Sequence, residues 1–594
     1  MVSTPIKPRN FFSVASQLLS LSTVVHGGRT CSPQSCKVIP GDANWPSQAS
    51  WARFNESIGG GLLQPAPPGA VCHQGFRTYD PDQCPAVVSG WATYHFHAEH
   101  PTSSQWNQFS NDSCLPDPSN PCDASGYPTF VVNATETEHV QAAVNFAREN
   151  NVRLIVKATG HDFLGRSIAP NSLSIWTHHM KGIEYHEGSF TPQGCYAAIE
   201  TNAVTIRAGG QMADLQDFLR TKKETVVGGN SRSVGIGGYL TGGGHSILGS
   251  QHGLATDHVL EVQLVTPDGE VVVANECQNE DLFWAVRGGG GSTFGVITSA
   301  TLETIPTPPL IHVTFALFTL PDAPQLHEYQ AFVLSKFPSW SDAGVGAYAF
   351  VAHNISNTYF PGPPDYISGV MGLIVLPGAT NETEIYSIIY PAIQEAQSKY
   401  PNTNVTVVAA PEAFDSYQSW WDKYFDNGTA GYDQYLSSRL LDERTLSDVD
   451  SVALALEEYL NPTGMGLVHL VAGKGVRDAK PRGGSSAVNP AWRDAYVHIV
   501  KGRSFEPLSE EAKNAAIEGV KADTAVMTKL APHAGAYLNE ASLFEEDWQH
   551  TFWGENYERL LEIKREIDPK NVFVCHPCVG SENWKEVNGR LCKV

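Results

Sequence analysis

Apolar residues follow two different periods in the stretch that begins near residue 126. Residues 129–132 (TFVV) form a short β-rich run, and residues 140–147 then place Val or Ala at every third or fourth position. The first pattern is typical of a strand and the second of an amphipathic helix. Residues 135–138 (TETE) have the spacing of a capping box for that helix, and residues 154–156 are apolar again. The order predicts a strand, a helix and a second strand.

The same patterns predict further elements and one domain boundary. Short strands are predicted at residues 172–176, 203–208, 259–266 and 271–273. The glycine density falls at residues 306–309 (PTPP), where we place the start of a second domain that mixes strands and helices. Near the end, residues 557–567 predict a helix and residues 572–574 a short strand. The fold class that follows is α+β.

The second domain is rich in aromatic residues, among them Trp420, Trp421 and Trp492. Such side chains suit stacking against a planar or sugar-like ligand. Core packing explains them at least as well, and the sequence leaves both interpretations open.

The chain has 594 residues, with 39 Lys and Arg against 62 Asp and Glu, which gives a formal net charge of −23. No block of basic residues offsets this charge anywhere along the sequence. An acidic surface repels phosphate backbones and anionic lipids, so we predict no nucleic-acid partner and no membrane partner. Charged residues make up only 17% of the chain, beside 53 Gly and 38 Pro, which is typical of a loop-rich globular protein.

The one long apolar stretch lies at the N-terminus. Lys7 and Arg9 precede an apolar run at residues 11–25, which predicts a secretory signal peptide over residues 1–27. A frayed cytosolic N-terminus is the alternative, but seven N-glycosylation sequons favour the secretory route. The sequons lie at Asn55, Asn111, Asn133, Asn354, Asn381, Asn404 and Asn427. We therefore expect a glycoprotein that is secreted or resides in the endomembrane or vacuolar lumen.

Eleven cysteines also fit an oxidising compartment, and their odd number leaves at least one outside any intrachain pair. Six of them crowd residues 28–124, a Pro-, Gly- and Ser-rich N-terminal segment that we expect to rely on disulfides for order. Cys575 and Cys578 form a C-x-x-C pair near the end. A disulfide is favoured over a metal site there, because no second pair stands at zinc-binding spacing.

Several familiar catalytic signatures are absent from the sequence. It contains no H-E-x-x-H, and no G-x-S-x-G, since Ser292 is followed by Thr-Phe. His95, His97 and His100 are the best metal-ligand candidates. Surface or hydrogen-bonded histidines are favoured over a site, so we predict no metal.

Four glycine clusters stand out, at residues 159–162, 209–210, 235–244 and 288–291. Glycine lets a backbone approach a ligand closely and aim successive N–H groups at an anion, which suits a cofactor with a diphosphate. None of the clusters matches G-x-G-x-x-G or a P-loop, so a nicotinamide dinucleotide and ATP are disfavoured. Glycines in ordinary turns would explain any one of these clusters. Four clusters so close together are explained less well in that way, which favours the cofactor.

Five motifs, in order along the chain, resemble those of one enzyme family. They are KATGHDFLGRS (157–167), LSIWT (173–177), SVGIGGYLTGGG (233–244), LATDHVL (254–260) and DLFWAVRGGGGSTFGV (281–296). A tail at residues 556–584 adds NY-x-x-LL-x-IK, DP-x-x-x-F and CVGSE-x-W. Together they resemble the berberine-bridge-enzyme-like FAD-linked oxidases, most closely the secreted fungal type. This family belongs to the vanillyl-alcohol-oxidase superfamily, whose members share the PCMH-type FAD-binding fold.

What the resemblance implies is a two-domain flavoprotein of the α+β class. Residues 125–307 would form the PCMH-type FAD-binding domain, and residues 308–534 an α+β substrate domain that covers the flavin. Residues 535–594 would return to the FAD domain as a berberine-bridge-like C-terminal segment.

The resemblance also assigns individual residues. His161 matches the histidine that bonds covalently to the flavin 8α carbon, and imidazole is a competent nucleophile for that bond. Ser231 stands where many members carry a cysteine that forms a second bond, so a single covalent link is implied. Val234 matches a position that governs oxygen access in the family, and its small side chain favours an oxidase.

The motif residues implied to contact FAD are spread over the glycine clusters and the tail. They are Lys157, Thr159, Gly160, His161, Asp162, Gly165, Arg166, Ser167, Ser231, Val234, Gly235, Gly237, Gly238, Gly242, Gly243, Asp257, Gly295, Val296 and Asn571. Lys157 and Arg287 would in addition offset the charge of the diphosphate.

The catalytic base is expected in the Y-x-N pattern just before the tail. Tyr537 matches it and would serve if a nearby cation lowered its pKa, with Asn539 orienting it. Glu540 would serve instead if burial raised its pKa. Tyr537 could also only pack against the ring, and the sequence does not decide between these roles.

The expected activity is that of an FAD-dependent oxidase, and two alternatives stay open. It would transfer a hydride from a small alcohol, carbohydrate or secondary metabolite to FAD and return the electrons to O2 as H2O2. One alternative is a dehydrogenase or oxidative cyclase that does not use O2. The other is a flavin-bearing secreted glycoprotein with a binding or defence role. A monomer is expected.

Overall fold

The computed structural model describes residues 36–358, 364–425, 428–587 and 589–594. The predicted signal peptide, Cys31 and the sequon at Asn427 lie outside these residues. In the described part of the chain, no helix is both long and apolar enough to cross a membrane.

The strands are β1 (Leu62–Leu63), β2 (Phe130–Asn133), β3 (Arg153–Lys157), β4 (Ser172–Trp176), β5 (Ile183–His186), β6 (Ala203–Arg207), β7 (Glu224–Thr225), β8 (Val259–Val265), β9 (Val271–Asn275), β10 (Val296–Glu303), β11 (Ile305–Pro306), β12 (Leu310–Thr319), β13 (Gly346–Ser356), β14 (Tyr366–Pro377), β15 (Thr406–Phe414), β16 (Asp433–Asp442), β17 (Gly464–Leu470), β18 (Ala495–Phe505), β19 (Trp584–Val587) and β20 (Arg590–Lys593).

The helices are α1 (Gln48–Ser57), α2 (Cys84–Gly90), α3 (Tyr94–Glu99), α4 (Thr137–Asn150), α5 (Met212–Arg220), α6 (Ile236–Gly242), α7 (Gly249–His252), α8 (Glu280–Val286), α9 (Leu326–Leu334), α10 (Phe337–Asp342), α11 (Glu382–Lys399), α12 (Tyr417–Tyr424), α13 (Glu443–Ser447), α14 (Val449–Leu460), α15 (Lys474–Arg477), α16 (Ala491–Asp494), α17 (Glu510–Leu530), α18 (Trp548–Trp553) and α19 (Tyr557–Ile567).

Three larger sheets carry the described chain. The first has the order β1-β2-β4-β3, with β2 and β3 both parallel to β4. The second, antiparallel, has the order β5-β6-β10-β8-β9, and the third, with seven antiparallel strands, has the order β15-β12-β14-β13-β17-β18-β16. This mixture of helices and sheets is the α+β class that the sequence predicted.

The first sheet contains the predicted unit of strand, helix and strand, but the predicted capping box is wrong. Helix α4 has Glu136 at its N-cap, and no side chain caps it there. The Thr135 hydroxyl lies 3.4 Å from Nδ1 of His139 instead of accepting a bond from an amide of the first turn. The apolar face of the helix, rather than a cap, therefore holds it on the sheet.

The predicted strand at residues 572–574 is also wrong. Only Phe573 forms a β-bridge, with Leu154. The Asp568 carboxylate accepts the backbone N–H groups of Val572 (2.8 Å) and Phe573 (3.0 Å). A side chain thus uses the donors that a strand ladder would need.

The largest aromatic side chains belong to the core. Trp420 and Trp421 are fully buried in the cluster under the second sheet, and Trp492 is 1% exposed in a neighbouring cluster. A separate core lies between the seven-stranded sheet and the helices α9, α11, α14 and α17. Of the two interpretations of these tryptophans, core packing is the one that the structure supports.

Ten cysteines form five disulfides. The pairs are Cys36–Cys592, Cys72–Cys84, Cys114–Cys122, Cys195–Cys277 and Cys575–Cys578. Two of them close short loops in the N-terminal segment, as expected for a stretch with little periodicity. The C-x-x-C pair is a disulfide, as predicted.

A pair of carboxyl groups joins the N-terminal segment to the seven-stranded sheet. Asp433, the first residue of β16, is fully buried and faces Asp112. Burial, and then the negative charge of Asp112, raise the pKa of Asp433 to about 8. The folded protein therefore binds a proton at this pair that the unfolded chain releases near its ordinary pKa of 3.8.

The stability that this proton contributes is fully present below pH ~4 and is lost as the pH rises through about 8. The melting temperature should fall as the pH rises between these two values. We expect Asp433→Asn to make that fall less steep. Asp365→Asn, at an exposed carboxyl just before β14, is the control and should leave the slope unchanged. Equal slopes for all three proteins would contradict the shared proton.

Candidate cofactor and active site

A cavity of about 560 Å³ opens between the glycine clusters, the seven-stranded sheet and the C-terminal segment. Of the residues predicted for a site, it is lined by Thr159, Gly160, His161, Asp162, Arg166, Ser167, Ser231, Val234, Gly235, Gly237, Gly238, Gly295, Val296, Tyr537, Asn539 and Glu540. The region of the seven-stranded sheet adds Tyr348, Tyr424, Phe425 and Gly428. Segments that are more than 300 residues apart in the sequence thus line the same cavity.

The wall has the features of a dinucleotide cradle. A Cβ atom added to Gly237 or Gly238, on α6, would meet nothing within 4 Å, so this part of the helix presents bare backbone to the cavity. Nη1 of Arg166 and Oγ of Ser167 are buried and have no hydrogen-bond partner among the described residues. Buried polar atoms of this kind are normally satisfied, so the two groups are available to a polar ligand such as a diphosphate.

The loop after β3 is held by one carboxylate. Oδ2 of Asp162 accepts the N–H of Ser167 (2.7 Å), and Oδ1 accepts Nε of Arg166 (3.1 Å). Nη2 of Arg166 then donates to Oδ1 of Asn539 (3.0 Å), and Nδ2 of Asn539 donates to the carbonyl of Gly238 (3.0 Å). This chain of bonds ties the GHDFLGRS loop, helix α6 and the C-terminal segment into one frame.

His161 projects from that loop into the cavity. Its Nε2 lies 2.8 Å from Oγ of Ser233, and its ring centroid lies 4.7 Å from that of Tyr94. Burial, with a smaller contribution from the positive charge of Lys157, lowers the pKa of His161 to about 3. The imidazole is therefore neutral at physiological pH, and Ser233 occupies one nitrogen while Nδ1 is left for another bond.

A carboxylate clamped by two imidazoles lies in the same cavity. Oε1 of Glu540 is 3.2 Å from Nε2 of His245, and Oε2 is 3.1 Å from Nε2 of His498. Burial acts to raise the pKa of Glu540, but attraction to His245 and hydrogen bonds from both histidines outweigh it and hold the pKa well below its usual range. The expectation that burial raises this pKa is wrong, and Glu540 is ionised at neutral pH.

The neighbouring Tyr537 has the opposite shift from the one that would make it a base. Its hydroxyl oxygen accepts a hydrogen bond from Nδ2 of Asn539 at 3.0 Å. Burial, and then the negative charge of Glu540, raise the pKa of Tyr537. No nearby cation offsets these effects enough to lower it, so the phenol stays protonated.

Comparison with known proteins places this geometry in a family. The model for "FAD binding domain" matches residues 128–275, and the model for "Berberine and berberine like" matches residues 536–579. The chain is 32% identical over 610 residues to a VAO-type flavoprotein oxidase, VAO615, from Thermothelomyces thermophilus, with 99% of this chain and 100% of that protein covered. The chain belongs to the berberine-bridge-enzyme-like FAD-linked oxidases of the vanillyl-alcohol-oxidase superfamily. It is an FAD-binding oxidoreductase.

Two solved structures share the fold of this chain. The VAO-type flavoprotein MtVAO713 from Myceliophthora thermophila C1 superposes with a TM-score of 0.86 at 28% identity, covering 94% of this chain and 100% of that one. The glucooligosaccharide oxidase of Acremonium strictum, described as carrying a 6-S-cysteinyl, 8α-N1-histidyl FAD, gives a TM-score of 0.61 at 18% identity over 77% of this chain and 92% of that one. The second likeness concerns the fold alone.

Several residues predicted to contact FAD do not line the cavity. Nζ of Lys157 donates to the carbonyls of His97 (3.2 Å) and Ala98 (3.3 Å), and burial lowers the pKa of Lys157 to about 7. Arg287 donates instead to the carbonyls of Phe283 (3.0 Å) and Ser485 (2.8 Å). Both side chains are used inside the protein, so the prediction that they offset the diphosphate is not supported.

Three of the predicted glycines serve packing. A Cβ atom on Gly165, whose φ is +72°, would lie 2.4 Å from the Phe109 ring. On Gly242 it would lie 2.1 Å from Nδ2 of Asn539, and on Gly243 3.1 Å from Val488. These positions make room for neighbouring side chains, and their predicted contacts with FAD stay predictions.

Asn571 lies outside the cavity in the C-terminal segment. Its carbonyl accepts Nζ of Lys37 at 2.8 Å, which joins the tail to the start of the described chain. Its backbone has a φ of +52°, a conformation that asparagine adopts more readily than most residues. The structure gives Asn571 a role in this turn, and its predicted contact with FAD stays a prediction.

Asp257 is the last of the predicted FAD contacts that does not line the cavity. It joins the region of the FAD-binding motifs to the segment that carries Arg493. Its carboxylate accepts two bonds from Arg493, at 2.7 and 2.8 Å, and Oδ2 also accepts the N–H of Leu254 at 3.0 Å. The Asp257 side chain is 3% exposed and that of Arg493 is 26% exposed. The predicted cofactor ligand is therefore a buried anchor for the region that carries Arg493.

We expect Asp257→Asn to lower the free energy of unfolding by about 2 kcal/mol, because removing one partner leaves a poorly solvated guanidinium. Urea unfolding followed by tryptophan fluorescence measures the change. Asp478→Asn, at a 59% exposed partner of Arg477, should cost less than about 1 kcal/mol. Equal effects of the two substitutions would contradict the anchoring role.

Some residues of the site escaped the sequence analysis. His245 directly follows the glycines of residues 242–244, so its position beside that cluster was an available signal. His498 lies in β18 and Tyr348 in β13, and neither stands near a motif. Only the register of the seven-stranded sheet brings these side chains to the cavity region.

The three histidines considered as metal ligands do not converge. Nδ1 of His97 lies 2.6 Å from Oγ of Ser103, and Nε2 lies 2.6 Å from the carbonyl of Trp91. Nδ1 of His100 lies 3.3 Å from Oγ1 of Thr102. The rings of His97 and His100 thus contact separate partners. This agrees with the interpretation that the sequence favoured, hydrogen-bonded histidines rather than a metal site.

Proposed function

We propose that the protein is an oxidase that removes a hydride from a small organic substrate onto FAD and passes the electrons to O2, which becomes H2O2. The observation that supports this most is the ionised Glu540, clamped between two imidazoles, in the same cavity as His161. When bound, FAD supplies the oxidising power and accepts the hydride. The protein supplies attachment, orientation and a proton acceptor.

Attachment is proposed to run through Nδ1 of His161. If Nε2 donates its hydrogen to Oγ of Ser233, the lone pair of the neutral ring lies on Nδ1. The lowered pKa of His161 keeps that lone pair free at the pH of most compartments. A second link is not proposed, because Ser231 offers a hydroxyl in place of a thiolate.

Glu540 is proposed as the base because it is ionised and can accept a proton, although its lowered pKa makes it a weaker base than the raised pKa considered from the sequence would have done. An alcohol that becomes a carbonyl loses a hydride from carbon and a proton from oxygen, and a carboxylate can take that proton. His245 and His498 fix both oxygens of Glu540, which limits the orientations that the carboxylate can adopt. Tyr537 is assigned a positioning role, because its raised pKa keeps its proton in place.

Aromatic residues favour a planar or sugar-like substrate. Tyr348, Tyr424 and Phe425 line the cavity together with the glycine clusters, and such rings bind flat apolar faces well. Val234 also lines the cavity, and its small side chain supports access for O2. The classes that fit are alcohols, carbohydrates and intermediates of secondary metabolism.

Secretion as a monomeric glycoprotein is part of the proposal. Five disulfides suit an oxidising compartment. The sequon residues Asn111, Asn381 and Asn404 are exposed, so an oligosaccharide can reach them.

Loss of flavin absorbance under anaerobic conditions tests the proposed activity on a panel of alcohols, sugars and aromatic alcohols. We expect at least one class to bleach the band near 450 nm, and the same compound to support H2O2 formation in air. Failure of every class to reduce the flavin, while dithionite reduces it, would overturn the proposal in favour of a binding role.

A further inference from the structure

A cluster of potential metal ligands lies outside the cavity. Glu99 ends helix α3 of the N-terminal segment, and His178 and His179 follow β4 of the first sheet. One ligand atom from each of the three residues lies within 4.8 Å of the other two. Glu99 and His178 are 79 residues apart in the sequence, so only folding brings them together.

His179 is oriented by a contact outside the cluster, whereas Nδ1 of the buried His178 has no hydrogen-bond partner among the described residues. Nε2 of His178 points at Oε1 of Glu99, 2.9 Å away, and its ring stacks on Trp176 at a centroid distance of 5.4 Å. Nδ1 of His179 lies 2.6 Å from Oδ1 of Asn133, which leaves Nε2 for another ligand. A bond from the second ring nitrogen to a carbonyl-type oxygen is typical of histidines that bind metals.

The charges around the cluster are mixed. Lys157 and Lys181 both lie close enough to act electrostatically on His178. Nζ of Lys181, however, lies 2.7 Å from Oδ2 of Asp214, which offsets part of its charge.

We propose that Glu99, His178 and His179 bind a divalent transition-metal ion, with Zn²⁺ the best match to two imidazoles and one carboxylate. Zinc takes nitrogen and carboxylate ligands at about 2.0–2.2 Å, which puts the ligand atoms of a tetrahedral site about 3.4 Å from one another. Oε1 of Glu99 and Nε2 of His178, now 2.9 Å apart, would have to separate slightly, and the distances to the His179 ligand atom, now within 4.8 Å, would have to come to the same value. Glu99 can make that movement, because 44% of its side chain is exposed. Solvent, or the exposed His95 with Nδ1 4.0 Å from the same carboxylate, would complete a tetrahedral site.

The ion would join the N-terminal segment to the FAD domain. Helix α3 is already held on the first sheet by Lys157 of β3, which donates to the carbonyls of His97 and Ala98. The metal would add a second connection at the end of the same helix, two residues along the chain from His97. We therefore expect Zn²⁺ to stabilise the protein without touching the cavity.

Titration of the flavin-loaded full-length protein with ZnCl2, followed by calorimetry and by the melting temperature, tests the site. We expect one ion per chain with micromolar affinity and a higher melting temperature. Glu99→Gln and His179→Ala should each weaken binding at least tenfold and remove the stabilisation. Both leave the buried His178 in place, so the fold is not put at risk.

His533→Ala is the matched control, because it removes an exposed histidine far along the chain from the cluster. It should bind Zn²⁺ like the unaltered protein. The proposal would be overturned if the unaltered protein bound no Zn²⁺, or if Glu99→Gln and His179→Ala bound it as tightly as His533→Ala. Flavin absorbance should stay unchanged throughout, which separates this result from the proposed oxidase activity.

Discussion

His161→Ala is expected to yield a protein whose flavin is lost completely on acid precipitation, whereas the unaltered protein gives a yellow pellet. His161 is the histidine whose neutral ring enters the cavity, with Nε2 held by Ser233 at 2.8 Å and Nδ1 left for a bond to the cofactor. Alanine has no nucleophile, so only non-covalent contacts would retain FAD. The ratio of acid-stable flavin to protein measures the effect.

Two further variants make this result specific. His186→Ala removes a histidine that contacts Thr205 away from the cavity, and it should keep the full amount of acid-stable flavin. Ser233→Ala should slow attachment, because the ring loses the contact that fixes its tautomer. A yellow acid pellet from His161→Ala would refute the proposed link.

Glu540→Gln is expected to lower the rate of anaerobic flavin reduction by about 10²–10⁴-fold, the usual contribution of a general base. Glutamine fills the same space but cannot take the substrate proton. Substrate binding should change much less, because the amide still reaches His245 and His498. Stopped-flow absorbance near 450 nm, with the substrate found in the panel, measures the rate.

Tyr537→Phe separates the two candidates for the base. It removes only a hydroxyl that accepts a bond from Asn539, so the rate should fall by about tenfold or less. Glu546→Gln, at an exposed carboxylate, serves as the control and should have no effect. A larger loss in Tyr537→Phe than in Glu540→Gln would reverse the assignment.

Local patterns predicted much of the framework. The strand Ser172–Trp176 and the helix Tyr557–Ile567 have the bounds that were predicted, because their periodicity lies within the element itself. The loop that carries His161 and the bare glycines of α6 came from contiguous motifs. The cavity collects these segments at one place.

The errors occur where a distant partner decides the role of a residue. Asp257 stands in a motif, but Arg493, 236 residues later, takes its carboxylate. Lys157 is next to a glycine cluster, yet its ammonium group donates to two backbone carbonyls of α3 instead of facing the cavity. The clamp of Glu540 by His245 and His498 could not be predicted either, because it depends on the strand order of the seven-stranded sheet.

Reoxidation of the reduced protein by air tests the central proposal, an oxidase with O2 as its acceptor, most directly. The flavin is reduced anaerobically by one equivalent of dithionite and mixed with air-saturated buffer in a stopped-flow instrument. The proposal predicts that the absorbance near 450 nm returns within seconds with one H2O2 per flavin, and that Val234→Leu slows the return. A flavin that stays reduced for minutes in air, yet is reoxidised at once by an artificial electron acceptor, would contradict it.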